Sequence, residues 1–389
     1  MGHLPTITYL MFLIFSGTAL LSTVALFTRQ SLLVAYIVLG AIMGPWGLKL
    51  INNSAIIQEA GEIGIIFLLF LLGLDLQPQN LFHSLRKMSL ITLLSTLLMF
   101  PIGFVTTYFF GYPLNECIMV GIITTFSSTI IGIKLLPTTI LHHQHTGELV
   151  ISILLLQDII AIAVLLGIEI LANRAGAFRV GLMLSAFPIL IAIAYGFQKY
   201  ILSWLISRFD QIHEYIFILS IGWCLCLAEL SYALGLSKDI GAFIAGVSLA
   251  SNPIANYIVE SLKPLRDFFL IIFFFSIGAT FSFAYVHQIA LQAILLATLV
   301  LIFKPLIFRT LLRHVGEIKS IGWEIGIRLG QLSEFSLLVV YMAYDSQLID
   351  PRITYMTEAA IILTFIVSCY WIVLQYPTPL GLTAKLRRD

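Results

Sequence analysis

Charged side chains are scarce in this sequence of 389 residues. Only 11% of the residues are charged and 59% are hydrophobic, whereas a soluble domain is about 25% charged. No run of like charge is long enough to follow a polyanion, and the formal net charge is only +1. These shortages exclude a cytosolic enzyme and a nucleic-acid partner, and they indicate an integral membrane protein.

Cysteine and the sequence motifs of enzymes are rare as well. The four cysteines all lie in apolar stretches, which is typical of small buried side chains rather than of disulfides or a metal site. The sequence contains no phosphate-binding glycine loop, no zinc-protease motif and no nucleophile elbow. We therefore expect neither an enzyme nor a bound cofactor.

Long apolar segments, by contrast, fill the chain. A helical span needs about 20 predominantly apolar residues, whereas barrel strands would be about half as long and would alternate. The sequence predicts an all-α polytopic membrane protein with about thirteen spans. Their approximate limits are 7–27, 31–49, 59–77, 89–111, 115–135, 147–171, 180–199, 213–234, 237–255, 264–286, 288–313, 321–346 and 353–375.

The Lys and Arg residues of the loops predict the orientation. With thirteen spans, the loops of one side carry fourteen of these residues and the loops of the other side carry five. Basic loops stay in the cytoplasm. We therefore expect the N-terminus outside and the C-terminus in the cytoplasm. A bacterial inner membrane is the expected location.

Three features recur along the chain at an offset of 205 or 206 residues. Gly40 in AYIVLGAIMGP corresponds to Gly246, and Gly73 in FLLFLLGLDL corresponds to Gly278. The polar residues in the middle of the fifth span fall opposite those of the twelfth. The equivalent spans are seven apart, and an odd shift inverts one half relative to the other. Inverted repeats with polar breaks near the midplane are typical of secondary transporters.

Asp158 is the principal candidate for chemistry. It lies halfway along 147–171, with no other charge within eight residues on either side, and an ionisable residue at that depth marks a functional site. A proton and a metal ion compete for one buried carboxylate, which is the minimal chemistry of an antiporter. Gln157 adds a neutral amide oxygen that suits a partly dehydrated alkali ion. One charge in this pair suits exchange of one proton for one monovalent cation.

Two spans are expected to be broken. Hydroxyl side chains in the middle of a span compete for backbone hydrogen bonds, and irregular backbone at this depth lines a cavity or is packed in protein. Two crossing broken helices would place free carbonyls beside Asp158; a hydroxyl-rich packing face is the alternative. The polar residues concerned are Thr124, Thr125, Ser127, Ser128 and Thr129 in the fifth span and Gly330, Gln331, Ser333 and Glu334 in the twelfth.

Three further charges lie within the two later spans. Three roles are open for Lys304. It could be a counter-ion, with Asp158 as one candidate partner, or a second proton carrier. Alternatively, its side chain could extend to the cytoplasmic interface. Arg328 and Glu334 are six residues apart, and we expect them to brace the broken span. Most of the other acids, Glu358 among them, lie near the ends of spans, and we expect them to be solvated or interfacial.

A histidine-rich loop follows the fifth span. No cysteine or carboxylate completes a metal-ligand set there, so we expect a solvated loop, with pH sensing as the alternative. The histidines are His142, His143 and His145.

Eight segments together carry a family resemblance. They are AYIVLGAIMGPWGLKL, GIIFLLFLLGLDLQPQNL, FSSTIIGIKLL, LLLQDI, DIGAFIAGVSLASNP, FFFSIGA, FKPL and GQLSEFSLL. In their order and spacing they resemble the monovalent cation:proton antiporter-2 family, and within it the Kef-type potassium efflux antiporters.

The resemblance implies a thirteen-span, sodium/proton antiporter-like fold that works by an elevator-like movement. A scaffold that forms a homodimer would comprise about 7–77 and 213–286, and a mobile ion-binding core with two crossed broken helices would comprise about 89–171 and 288–375. By position, the resemblance implies that Asp158 is the ion- and proton-binding acid and that Gln157 is the glutamine of the potassium-selective branch. It also implies that Lys304 is the membrane-embedded lysine. The residues that match the two broken helices are Thr125, Ser127 and Ser128 in the first and Gln331 and Glu334 in the second.

The expected activity is exchange of K⁺ for H⁺. Na⁺/H⁺ exchange is the nearest alternative, and Gln157 is the feature that favours K⁺ over Na⁺. An organic-anion symporter is a further candidate, and so is a membrane sensor or assembly module that transports nothing. Kef-type proteins usually continue into a cytoplasmic nucleotide- and glutathione-sensing domain, whereas this sequence stops at LTAKLRRD. We expect no nucleotide-binding domain within it, and a regulatory domain or subunit as a possible partner.

Overall fold

The computed structural model describes most of the chain. The described residues are 7–51, 54–75, 78–137, 145–172, 177–209, 211–250 and 255–379. Within these ranges every long regular element is a helix, so the prediction of an all-α protein is confirmed.

Sixteen α-helices are described. In chain order they are α1 Ile7–Phe27, α2 Leu32–Met43, α3 Ser54–Asp75, α4 Pro78–Phe109, α5 Leu114–Ile123, α6 Thr129–Lys134, α7 His145–Ala172, α8 Ala177–Phe197, α9 Ser203–Phe209, α10 His213–Ala233, α11 Lys238–Ala250, α12 Ala255–Thr280, α13 Val286–His314, α14 Lys319–Arg328, α15 Glu334–Asp345 and α16 Pro351–Gln375. A π-helical turn, Gln198–Leu202, joins α8 to α9, and a 3₁₀ turn, Phe283–Tyr285, precedes α13.

Seven helical stretches in the described part of the chain are long and apolar enough to cross a membrane. They are Thr8–Phe27, Met88–Phe109, His145–Leu171, Ser185–Phe209, His213–Ala233, Phe283–His314 and Pro351–Gln375. Shorter apolar helices, among them Leu32–Met43 and Leu114–Ile123, do not reach the length of a span by themselves. The count of thirteen therefore stays a prediction.

The chain divides into two compact units. The first comprises the described parts of Met1–Ala19, Tyr36–Phe82 and Glu169–Thr280, and the second those of Leu20–Ala35, His83–Ile168 and Phe281–Asp389. Each unit takes residues from both halves of the sequence, so the chain passes between them several times. The functional division into a dimerising scaffold and an ion-binding core stays a prediction.

Glycines bring helix backbones together in the first unit. A Cβ at Gly40 of α2 would lie 2.0 Å from the carbonyl oxygen of Phe275, and one at Gly278 of α12 would lie 1.8 Å from that of Ile37. Those separations are shorter than any real contact, so only glycine permits the two helices to touch there.

The glycines of α3 and α11 repeat this arrangement. A Cβ at Gly73 would lie 2.4 Å from the Phe243 oxygen, and one at Gly246 would lie 2.0 Å from the Phe70 oxygen. By the repeat, α2 corresponds to α11 and α3 corresponds to α12. The contact of α2 with α12 is therefore equivalent to the contact of α11 with α3. Two structural repeats related by a local twofold would pack in this way.

The second unit keeps the same offset. A Cβ at Gly121 of α5 would lie 3.0 Å from the Phe100 oxygen of α4, and one at Gly326 of α14 would lie 2.6 Å from the Pro305 oxygen of α13. Gly326 lies 205 residues after Gly121, and Pro305 lies 205 residues after Phe100, so the two contacts are equivalent in the repeat. The repeat that the sequence indicates therefore includes helices α4 and α5 in one half and α13 and α14 in the other.

Candidate functional site

The first interruption lies between α5 and α6. Residues 124–128 are not helical, and the hydroxyls of Thr124 and Thr125 donate to carbonyls of their own helix, Gly121 and Ile122, at 2.8 and 2.7 Å. Ser128 then starts α6 by accepting a hydrogen bond from the backbone N–H of Ile131. The break falls where the hydroxyl cluster predicts it.

The second interruption lies between α14 and α15. The helix stops at Arg328, and Ser333 starts α15 by accepting a hydrogen bond from the N–H of Phe335 at 3.1 Å. The N-cap serines Ser128 and Ser333 are 205 residues apart, which is again the offset of the repeat. Both discontinuous helices that the sequence indicates are present.

The two interruptions contact each other through side chains and carbonyls. Ser127 Oγ donates to the Leu329 oxygen at 2.9 Å, and Ser336 Oγ donates to the Ile123 oxygen at 2.8 Å. Carbonyls that a broken helix leaves without intrahelical donors are satisfied in this way. The broken helices therefore lie side by side at the level of their breaks.

Asp158 lies in α7 and faces the start of α6. The residue is 1% exposed, and the hydroxyl of Thr129, the first residue of α6, lies 3.2 Å from both of its carboxylate oxygens. A carboxylate is favourably placed at a helix N-terminus. A carboxylate and a hydroxyl are also ligands that suit a hard monovalent cation.

The amide of Gln157 holds the first break. Its oxygen accepts from the N–H of Ser127 at 2.9 Å, and its nitrogen donates to the Thr125 oxygen at 3.3 Å. Both ends of the amide are thus engaged with backbone. The coordination of a cation by Gln157 stays a prediction, and the observed contacts give the residue a positioning task.

An equivalent contact holds the second break. The N–H of Leu332, which corresponds by the repeat to that of Ser127, donates to the hydroxyl of Thr364 in α16 at 3.2 Å. Gln331 is held in turn, because its amide oxygen accepts from Ser368 Oγ at 2.9 Å. Sequence reasoning missed Thr129 as the partner of Asp158 and missed Thr364 and Ser368, although the 205-residue offset points to α16 as the counterpart of α7.

Lys304 joins the two breaks. Its ammonium is completely buried and donates to the carbonyl oxygens of Phe126 and Gln331, the second at 2.9 Å. These two residues are also 205 apart, so the ammonium lies between equivalent carbonyls of the repeats. The partners of Lys304 are therefore carbonyls and not Asp158, and full burial contradicts the alternative of a side chain that reaches the interface.

Glu334 and Arg328 contact opposite ends of α6. Glu334 Oε1 accepts from the N–H of Ile130 in the first turn of α6 at 3.1 Å. Arg328 is 0% exposed and donates to the oxygen of Leu135, which follows the last turn, at 3.1 Å. An anion at the N-terminus and a cation at the C-terminus both stabilise a helix.

These contacts brace the six-residue α6 from the second broken helix, rather than bracing that helix alone as the sequence suggested. Arg328 forms its ion pair with Glu324, at 2.9 Å, and not with Glu334.

Two expectations about other titratable residues have different outcomes. Glu358 is 0% exposed in α16, beside Tyr341, so the expectation that it is solvated or interfacial is wrong. For the histidine loop, only His145 is described. Its ring Nε2 lies 3.1 Å from both carboxylate oxygens of Glu317 in an exposed contact, which agrees with the expected solvated position. His142 and His143 lie outside the described residues.

Comparison with known proteins agrees with this geometry. Residues 12–374 match the family model of the transmembrane sodium/hydrogen exchanger. The K(+) efflux antiporter 6 of Arabidopsis thaliana is 28% identical over 335 residues, which are 83% of this chain and 56% of the relative. The glutathione-regulated potassium-efflux system protein KefC of Klebsiella pneumoniae is 28% identical over 88% of this chain and 56% of the relative. The chain thus spans a little over half the length of these relatives.

A solved structure has the same fold. The sodium proton antiporter MjNhaP1 of Methanocaldococcus jannaschii superposes with a TM-score of 0.74 over 94% of this chain and 96% of that chain, at 18% sequence identity. The iron transporter MagA of Paramagnetospirillum magneticum is 24% identical over 88% of this chain and 80% of the relative. The fold is that of a sodium/proton antiporter, and because the family model covers most of the sequence, the chain belongs to the sodium/hydrogen exchanger family.

Proposed function

We propose that this protein exchanges a monovalent cation, K⁺, for protons by alternating access, with Asp158 binding cation and proton in turn. The observation that carries the proposal is the place of Asp158, a carboxylate that is 1% exposed and faces the helix that starts after the first interruption. Ions are then cargo, and neither bond-making chemistry nor a cofactor takes part.

The choice of K⁺ is supported by relatives named as potassium efflux antiporters and by Gln157. A carboxylate in place of Gln157 would give the site two acids, which would suit binding of more than one positive charge. A neutral amide leaves one acid, which suits exchange of one proton for one monovalent cation. The second candidate is Na⁺, because the superposed structure is that of a sodium proton antiporter.

The proposal includes the surroundings of the protein. We place it in a bacterial inner membrane as a homodimer, as the resemblance to the Kef-type antiporters implies. The basic loops favour an N-terminus outside and a C-terminus in the cytoplasm. An organic-anion carrier is disfavoured, because Asp158 would repel the substrate. A sensor or assembly module would have no need of a buried acid beside a helix break.

The test is proton flux in proteoliposomes with an imposed pH gradient. K⁺, Na⁺, Li⁺ and choline are added in turn to wild type, to Asp158→Asn and to the control Glu214→Gln, which removes an exposed carboxylate from the first turn of α10. We expect K⁺ to collapse the gradient in wild type and in the control, and Asp158→Asn to match protein-free liposomes. Collapse by Na⁺ alone would select the second candidate. If no cation moved protons in wild type, exchange would be refuted.

A further inference from the structure

One buried acid of the second unit has no part in the exchange proposed above. Glu358 lies in α16 and is 0% exposed. Neither of its carboxyl oxygens forms a hydrogen bond of regular geometry with the described residues, and the polar side chain beside it is that of Tyr341 in α15. A buried carboxyl without a full set of partners is costly in a membrane protein, so its presence indicates a functional role.

Glu358 lies midway between the helix breaks and one end of the second unit. Six residues after it, Thr364 accepts the hydrogen bond from the N–H of Leu332 at the second break. Seven residues before it, Pro351 starts α16. Each interval is about 10 Å along the helix axis. A proton that travels between the breaks and this end of the unit therefore passes the level of Glu358.

Two tyrosines connect Glu358 to less buried positions. Tyr341 and Tyr355 are both partly exposed, and Tyr355, three residues before Glu358 on α16, is close enough to be affected by the charge of its carboxyl. Tyr341 follows Glu334 by seven residues, so these two side chains lie on one face of α15, two turns apart. Phenol hydroxyls both donate and accept hydrogen bonds. The face of α15 that starts at the second break thus leads to Glu358.

The helices around Glu358 bring no cation to it within the described residues. Helices α13, α14 and α15 pack against α16, and the titratable side chain that they place beside Glu358 is the phenol of Tyr341. The buried cations of α13 and α14 are engaged elsewhere, Lys304 by carbonyls and Arg328 by Glu324. A carboxyl that is buried without a cation favours its neutral, protonated form. Glu358 is therefore suited to hold one proton.

We propose that Glu358 relays the proton between the helix breaks and the end of the second unit at which α16 begins. This inference rests on the proposed exchange function. In each cycle the carboxyl gives up its proton on one side and takes up another from the other side, so its own charge is restored. The relay therefore sets how fast protons reach or leave the breaks, whereas Asp158 still exchanges one proton for one cation.

The substitution Glu358→Gln keeps the size of the side chain but removes the transferable proton. We expect the maximal rate of exchange to fall about tenfold or more. The K⁺ concentration at half-maximal rate should stay within about twofold of wild type, because Asp158 still binds the cation. The loss should shrink as the pH falls on one side of the membrane only, since a higher proton concentration there replaces the relay. Glu358→Asp should recover exchange to within about threefold of wild type.

The experiment measures initial rates of K⁺-driven proton movement in proteoliposomes that hold the protein in one orientation, with the pH of each compartment varied separately. The proteins are wild type, Glu358→Gln, Glu358→Asp, Tyr341→Phe and the control Glu116→Gln. Glu116 is also buried, at 4% exposure, but its carboxylate accepts a hydrogen bond from the N–H of Asp350 at 3.0 Å and so has a structural partner. We expect the wild-type rate per folded protein in the control. Tyr341→Phe should show a smaller loss than Glu358→Gln, with the same one-sided pH dependence.

Three results would overturn the relay. They are a wild-type rate in Glu358→Gln, a loss that is equal at every pH on both sides, as a packing defect would give, and a changed K⁺ dependence with an unchanged maximal rate. Should Glu358→Gln fail to fold, which its thermal unfolding would show, Tyr341→Phe carries the test. A one-sided, pH-dependent loss in that variant supports the relay, and a wild-type rate overturns it. Absence of exchange in wild type would instead refute the proposed function itself.

Discussion

The two compact units use the same sequence repeat in different ways. In the first, two equivalent pairs of helices, α2 with α12 and α3 with α11, touch through glycines, with backbone against backbone, as at Gly278 and Gly246. In the second, equivalent helices are interrupted, and side chains such as Gln157 and Lys304 satisfy the backbone groups that the interruptions expose. Close backbone packing leaves no room for a cation, whereas an interrupted helix offers carbonyls and helix ends.

The difference shows why the polar residues are concentrated in one unit. A break at membrane depth leaves N–H and C=O groups without partners, and each costs free energy unless a side chain supplies one. The six-residue α6 and the residues on either side of it obtain such partners from three helices, through Gln157, Glu334 and Arg328. We therefore expect stability and ion binding to depend on the same side chains.

The largest stability effect is expected in the glycine-packed unit. Gly278→Ala places a methyl group 1.8 Å from the Ile37 oxygen, so the two helices must separate. We expect a loss of about 4 kcal/mol or more in the free energy of unfolding. The matched control is Gly222→Ala in α10, where nothing lies within 4 Å of the new methyl group. Thermal unfolding in detergent measures both, and equal midpoints would refute backbone packing.

A somewhat smaller effect is expected at Arg328. Arg328→Met removes a completely buried guanidinium and leaves Glu324 and the oxygens of Leu135 and Pro377 without their donor. We expect a loss of about 3–5 kcal/mol.

The control for Arg328 is Lys263→Ala, which removes an exposed ion pair with Glu260 and should cost less than about 1 kcal/mol. Thermal unfolding of the two variants, compared with wild type, provides the measurement. A Lys263 variant as unstable as the Arg328 variant would contradict the assigned role of the buried guanidinium.

The side chains that accept hydrogen bonds from the N–H groups of the two breaks allow a comparison within the second unit. Gln157→Leu and Thr364→Val each remove the acceptor of an equivalent N–H, that of Ser127 or that of Leu332. Each should lower stability by about 1–3 kcal/mol. Only Gln157→Leu should also reduce ion flux, because Gln157 adjoins Asp158. Proteoliposome flux per folded protein separates the two, and equal flux in both variants would contradict this assignment.

The smallest effects are expected at the N-cap serines. Ser128→Ala and Ser333→Ala each remove one side-chain acceptor from the first turn of a helix, at a cost of about 1 kcal/mol. The thermal unfolding of each variant, with the corresponding threonine variant as control, provides the measurement. A much larger loss at Ser128 than at Ser333 would show that the six-residue α6 depends on its cap more than the twelve-residue α15 does.

Much of the site could be predicted from local chemistry. The positions of both breaks follow from clustered hydroxyl residues, and the isolation of Asp158 among apolar residues marks the acid. The partners could not be predicted in the same way. Lys304 binds two carbonyls instead of Asp158, Arg328 reaches Leu135, and Glu358 is buried. These contacts join residues far apart in sequence, and side-chain direction depends on how the helices pack.

The sequence by itself determined that this is a helical membrane protein built from two related halves, because hydropathy, small residues and a constant offset are properties of composition and order. Only the tertiary structure decided which backbone groups the buried side chains satisfy. A broken helix exposes its carbonyls and N–H groups in a direction that its neighbours set. The set of contacts at the first break is therefore a property of the fold, with Glu334 and Lys304 brought to it from the second half of the chain.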